Sequence, residues 1–127
     1  AYGTKPGSDD PWQGFRDQRE RIFSFIEAQK IEGLILVSAD RHRSDAWKIP
    51  REKGYDFYEF ESSKLTNQHT HRIIPGSIFS YNSKCSFGRL KFNTVKRNPE
   101  VTYQIINIDN EVINEITIRR SQLDYKN

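Results

Sequence analysis

A carboxylate and an imidazole, Asp40 and His42, stand two residues apart just after the aliphatic run Leu34-Ile35-Leu36-Val37. In an extended segment two such side chains project to the same side. Both are metal-ligand types, and a neutral imidazole beside a carboxylate suits zinc, manganese or iron better than calcium alone. The plainer reading of the same spacing is a capped loop with a surface histidine. His69 and His71 repeat the i, i+2 spacing inside the polar stretch Ser62 to His71, where they are either further ligands or two solvated histidines. Asp9 and Asp10 could hold a cation or its waters, or cap turns beside Pro11. Arg41 and Arg43 flank His42. A guanidinium grips phosphate bidentately, and Arg43 is the better candidate because Arg41 points to the opposite side of an extended segment.

These residues need elements to place them. In open α/β sheets ligands bind beyond the carboxyl ends of the strands. Four consecutive aliphatic residues after Gly33 read as a strand buried on both faces, so Asp40 and His42 emerge where sites are built. Upstream, Asp17 with Glu20 three residues on resembles a capping box. Phe15, Ile22, Phe23 and Ile26 then share one helical face, while Arg16, Arg19 and Glu27 take the other. Gly33 supplies a left-handed stop after Lys30, and the helix feeds directly into the strand as an αβ unit. Residues 1–14 hold three Gly and two Pro without apolar periodicity and read as an irregular loop. Trp12 within it is a hydrophobic anchor or, alternatively, a platform on which a substrate stacks.

Downstream, Ala46 to Ile49 reads as a short strand ended by Pro50, and Tyr55 to Glu61 alternates aromatic and acidic residues, the pattern of a strand with one covered face. Pro75 to Lys84 reads as irregular. Phe87 to Thr94, Val101 to Ile108 and Val112 to Arg119 are runs rich in β-branched residues, separated by the turn formers Lys96-Arg97-Asn98-Pro99 and Asp109-Asn110. They predict an antiparallel meander.

A chain of 127 residues fits a single domain. Charged residues reach 29% and apolar ones only 35%, yet 13% are aromatic, which points to a globular chain with an aromatic core rather than a disordered one. A net charge of +3 tolerates an anionic substrate and is too mild to argue for nucleic acid. Cys85 is the only cysteine, which excludes an internal disulfide and a cysteine-based zinc site. No apolar run approaches the ~18 residues of a membrane span.

A strand as apolar as Leu34 to Val37 calls for neighbours on both edges and layers on both faces, and parallel neighbours would need further βα units. The chain offers one. The expectation is therefore an α/β fold that is the C-terminal part of a larger sandwich. It divides into 1–33 loop and helix, 34–61 strands with the metal-motif turn, 62–86 irregular loop and 87–122 antiparallel strands.

The run from Gly3 to Phe15 (Gly-Thr-Lys-Pro-Gly-Ser-Asp-Asp-Pro-Trp-Gln-Gly-Phe), the Arg-rich helix after it, Leu36-Val37-Ser38-Ala39-Asp40-Arg41-His42-Arg43, Tyr58 to Thr66 (Tyr-Glu-Phe-Glu-Ser-Ser-Lys-Leu-Thr) and Ser86-Phe87-Gly88 together resemble, in order and along nearly the whole chain, the PhoD-like branch of the calcineurin-type metallophosphoesterases, the alkaline phosphatase D-like proteins. The resemblance implies an α/β/β/α sandwich with a two-metal centre at the carboxyl ends of the strands and hydrolysis of phosphomonoesters or phosphodiesters. It implies two divalent or trivalent ions drawn from Ca, Fe, Zn, Mn and Mg. The final metal-binding motif of the PhoD-like proteins, Gly-Asp-x-His, stands here as Ala39-Asp40-Arg41-His42. Asp40 and His42 are thus the implied catalytic and metal-binding residues, with Ala in place of Gly, a replacement that would be strained only at φ > 0. Arg43 and Trp12 are the substrate-binding candidates, and Asp45 is the candidate to orient His42 through its free ring nitrogen.

The family's other metal motifs lie upstream and are not found here. The implied partners are a phosphate-ester substrate and the missing N-terminal part of the same fold, and this chain would be inactive alone. Members are often exported, with signals that would lie before Ala1. A different class of function stays open: a non-catalytic β-rich module that keeps the C-terminal half of the fold and binds a partner. A third, anion or nucleic-acid binding through Arg41, Arg43, Lys96 and Arg97, predicts steep salt dependence.

Overall fold

The computed structural model describes residues 11–66 and 68–125. Asp9 and Asp10 lie outside the described residues.

Helix α1 spans Arg16–Ala28. Its cap lies two residues ahead of the expected capping box: Phe15 occupies the cap position without a side-chain hydrogen bond, and Asp17 falls inside the first turn. There its charge still meets the positive end of the helix dipole. Glu20 turns instead to Arg19 and Arg51, at 3.0 and 2.8 Å. The left-handed stop is Lys30 at φ 49, where the amide of Ile31 reaches back to the carbonyl of Ile26, so Gly33 is not the residue that ends the helix.

The buried stripe is Arg19, Phe23 and Ile26, at i, i+4 and i+7. Phe15 and Ile22, expected on that face, are 47% and 46% exposed. Arg19, expected in solvent, lays its aliphatic stem on the core while its guanidinium reaches Gln13 and Glu20. Trp12 sets its ring edge-on to Phe23 at 5.7 Å, which packs it against the helix.

The first sheet contains β1 (Leu36–Ser38), β2 (Ser44–Ile49), β3 (Phe57–Glu61) and β4 (Phe79–Tyr81) in the order β1-β3-β2-β4. β1 runs parallel to β3 without any intervening helix, because β2 passes to the far side of β3 and pairs with it antiparallel. The aliphatic run therefore lies at an edge. Val37 is 64% exposed, and Leu34, Ile35 and Leu36 are only partly covered.

The strand enclosed on both faces is β3, all five of whose residues are buried, Glu59 and Glu61 included. Phe57 meets Phe23 of α1 at 4.9 Å, while Phe60 stacks on Tyr103 at 4.6 Å. Opposite faces of β3 are thus covered by different layers, where alternation alone suggested one wet face.

The second sheet is the expected meander, β5 (Ser86–Asn93), β6 (Glu100–Asn107) and β7 (Val112–Arg119), antiparallel throughout with a bulge at Ile105/Ile106. Tyr103 of β6 joins the sheets: its ring stacks on Phe60 and Phe79, and its hydroxyl donates to the carbonyl of Glu61. Gly88 leaves room for it, since a Cβ there would sit 2.4 Å from the Tyr103 ring. Gly88→Ala is therefore expected to cost about 1–3 kcal/mol by overpacking, read as a lower urea midpoint at unchanged slope. Among the described residues no helix is long and apolar enough to cross a membrane.

Candidate metal centre

The turn at residues 39–43 carries the chain from β1 to β2 across the carboxyl end of β3, since Ser38 and Asp45 both register with Glu61. Asp40 has φ 79 and His42 has φ 50. Left-handed backbone at a residue other than glycine costs on the order of 1–3 kcal/mol and persists where the surroundings over-determine it. It also breaks the zigzag that would have put both side chains on one side. Ala39 is not left-handed, so its replacement of glycine carries no strain. The amide of His42 donates to Ser63 Oγ at 3.2 Å, and its carbonyl accepts from Thr70 Oγ1 at 3.2 Å.

The partners of His42 come from the segment after β3. One ligating nitrogen from each of His42, His69 and His71 lies within 4.8 Å of the other two. The rings of His42 and His71 stack at 5.0 Å, and His69 stands edge-on to them at 5.5 and 5.0 Å. Asp40 is exposed and is not in this group. Nδ1 of His71 is buried with no hydrogen-bond partner among the described residues. Burial foremost holds the His71 imidazole below its ordinary range, against a hydrogen bond with the Arg41 backbone that raises it, while the charges of Arg41, His42 and His69 push the same way as burial.

The segment is fastened at its base. Asn82 Nδ2 donates to the carbonyl of His71 at 2.9 Å. Buried Lys64, at φ 69, donates its ammonium to the carbonyls of Asn82 and Ser83, and its own carbonyl accepts from the amide of Ser86 at 3.0 Å.

Arg43 and Asp45 are placed differently from expectation. Arg43 is fully buried, its Nε 2.6 Å from Asp45 Oδ2 and its guanidinium 3.8 Å from Glu61. As the last residue of the turn it enters the core ahead of β2, where its guanidinium faces buried carboxylates. Asp45 accepts from Arg43, from Trp47 Nε1 at 3.2 Å and from Ser80, which occupies the oxygens expected to orient His42. Burial foremost, then the nearby Asp45 carboxylate, pushes Glu61 up to about 8 against the pull of Arg43. Glu61 is then mostly protonated at neutral pH, which weakens its charge pairing with Arg43.

Beside the histidines a cleft of about 460 Å³ is lined by Arg41, Arg43, His71, Arg72 and Ile74. Of these, Arg41 is half-buried and Arg72 exposed. Arg72 was not singled out by its sequence context; its adjacency to His71 is the only signal there.

A family model described as PhoD-like phosphatase matches residues 2–125. A search of curated proteins and a search of solved structures found no match.

Proposed function

The chain belongs to the PhoD-like phosphatase family, and from that premise we propose that it supplies the last ligands of a two-metal centre that hydrolyses phosphate esters as a phosphodiesterase or alkaline phosphatase D-like enzyme. The observation that carries the reading is the stacking of His42 on His71, which lines a cleft together with Arg41 and Arg72 at the carboxyl end of β1 and β3.

The donor set fits a metal. Imidazole nitrogens converge, a buried Nδ1 lacks a partner among the described residues, and the carboxylate of Asp40 stands on the same turn. His42 and Asp40 would hold the group. When bound, it supplies a water of lowered pKa and neutralises charge on the ester oxygens. The protein's own residues do the rest. Ser63 and Thr70 fix the backbone of His42 from both sides, and the guanidiniums of Arg41 and Arg72 bind the phosphate and exclude wrong orientations through paired N–H donors. A two-metal centre needs more carboxylate, amide and imidazole ligands than this turn offers. The reading therefore takes the N-terminal part of the same fold as their source and this chain as inactive without it.

Hydrolysis of bis(p-nitrophenyl) phosphate by the full-length protein is the test. Metal-dependent turnover that is abolished by a chelator and lost in both Asp40→Ala and His42→Ala is the expected result. Full activity in both variants would remove the site assignment, and no hydrolysis with any of the candidate metals would favour a non-catalytic binding module.

A further inference from the structure

We propose that His42, His69 and His71 form a binding site for one divalent ion of the zinc or cobalt class. The sequence contains three histidines in all, and every one of them is in this group. Solvated histidines scattered over a chain do not converge in this way. Two separate segments, the turn after β1 and the stretch after β3, must be brought together to make the cluster.

The convergence is built into the backbone. Thr70, the residue between the two later histidines, donates its hydroxyl to the carbonyl of His42 at 3.2 Å, so the segment that presents His69 and His71 is tied directly to the third ring. Asn82 holds the carbonyl of His71 at 2.9 Å. His42 keeps a left-handed backbone, φ 50, that aims its ring toward the other two. Contacts that fix the chain beside the donors pre-organise the site, which is what metal affinity requires.

The donor chemistry selects the ion. Three neutral imidazoles suit zinc, cobalt or nickel, whereas magnesium and calcium take oxygen donors. Nitrogen ligands on a tetrahedral zinc stand about 3.3 Å apart, given a Zn–N bond of ~2.0 Å. The mutual limit of 4.8 Å is thus within a small rotation of each ring. Three protein ligands leave one tetrahedral position unfilled, the arrangement of sites that do chemistry rather than of closed structural sites.

His42 is shared with the phosphoesterase reading, but His69 and His71 lie outside the Ala39-Asp40-Arg41-His42 motif, and the inference does not require the chain to hydrolyse anything.

The test is titration of the chain with Zn²⁺ by calorimetry and with Co²⁺ by visible absorption. Saturable binding of one ion per chain is expected, unaffected by millimolar Mg²⁺, with His69→Gln and His71→Gln each weakening affinity by about 100-fold or more, because even outer partners of a ligand are worth 10–100-fold. Asp40→Ala should bind Co²⁺ as the parent does, which separates this site from the phosphoesterase reading. Parental affinity in both histidine variants, no saturable binding, or equal loss in Asp40→Ala would each overturn the three-histidine site. Circular dichroism verifies folding of each variant. In the unsubstituted chain, the imidazole Hε1 resonances of all three histidines should shift together on adding Zn²⁺, and shifts confined to His42 would also overturn it.

Discussion

Arg43→Met is expected to lower the stability of the fold by about 3–5 kcal/mol, the range for removing one partner of a buried ion pair. The guanidinium is fully buried between Asp45 at 2.6 Å and Glu61 at 3.8 Å, and neither carboxyl group can turn to water once it is gone. Methionine fills much the same volume, so the loss reports uncompensated polarity rather than a cavity. Arg43→Lys should recover only part of it, because an ammonium on a single stem does not reproduce the planar fork that reaches two carboxyls. Urea denaturation at neutral pH measures both. A midpoint for Arg43→Met within experimental error of the parent would show that the side chain does not hold the core together as its contacts imply.

The second large effect is a pH dependence centred on Glu61. Its carboxyl is raised from an ordinary 4.5 to about 8, by burial first and by Asp45 second. Below pH 4.5 the folded and unfolded chains both hold the proton, and the group contributes nothing to the difference. As pH rises from 4.5 toward 8 the unfolded chain has released a proton that the folded chain retains, so stability falls by about 1.4 kcal/mol per pH unit, reaching a few kcal/mol. Above about 8 the folded chain also ionises and the loss levels off. Glu61→Gln keeps the shape and removes the titration. The variant should therefore gain on the parent steadily between pH 5 and pH 8, measured as the gap between their unfolding free energies. Parallel profiles for the two proteins would refute the assignment. The two predictions are coupled, because Arg43 is the group that restrains the upward shift of Glu61. In the Arg43→Met background the slope should persist to higher pH.

Local chemistry made some of this legible in advance. The meander over β5 to β7 follows from β-branched runs broken by Asn98-Pro99 and Asp109-Asn110, and both turns form where those residues stand. The helix was legible in its period but not in its phase: Arg19 joins the buried stripe because its long stem is as good a hydrophobe as Ile22, and hydropathy does not register that. Strand burial was legible only in part. Among the described residues Leu34 to Val37 lies at a sheet edge, as a strand that calls for neighbours outside this chain would, while Phe57 to Glu61 reads as half-exposed yet is enclosed, because which strand becomes central depends on crossover topology rather than on the strand's own composition.

At the site, the spacing of Asp40 and His42 implied a shared side only if the backbone were extended, and two positive φ values undo that premise. The i, i+2 spacing of His69 and His71 was visible. Their convergence on His42 depends on tertiary contacts such as Thr70 to the His42 carbonyl, which no local pattern encodes.

Lys64 gives the histidine-bearing segment a closed base, and that bears on how the molecule would tolerate being severed. A tryptic cut after exposed Arg72 would fall beyond both histidines and ahead of β4, leaving the upstream piece tethered through Thr70 and through the carbonyl of His71, and the downstream piece held by the pairing of β4 with β2 and by the Lys64 ammonium. The two fragments would stay associated as a nicked but folded particle, parting only when the sheets themselves melt.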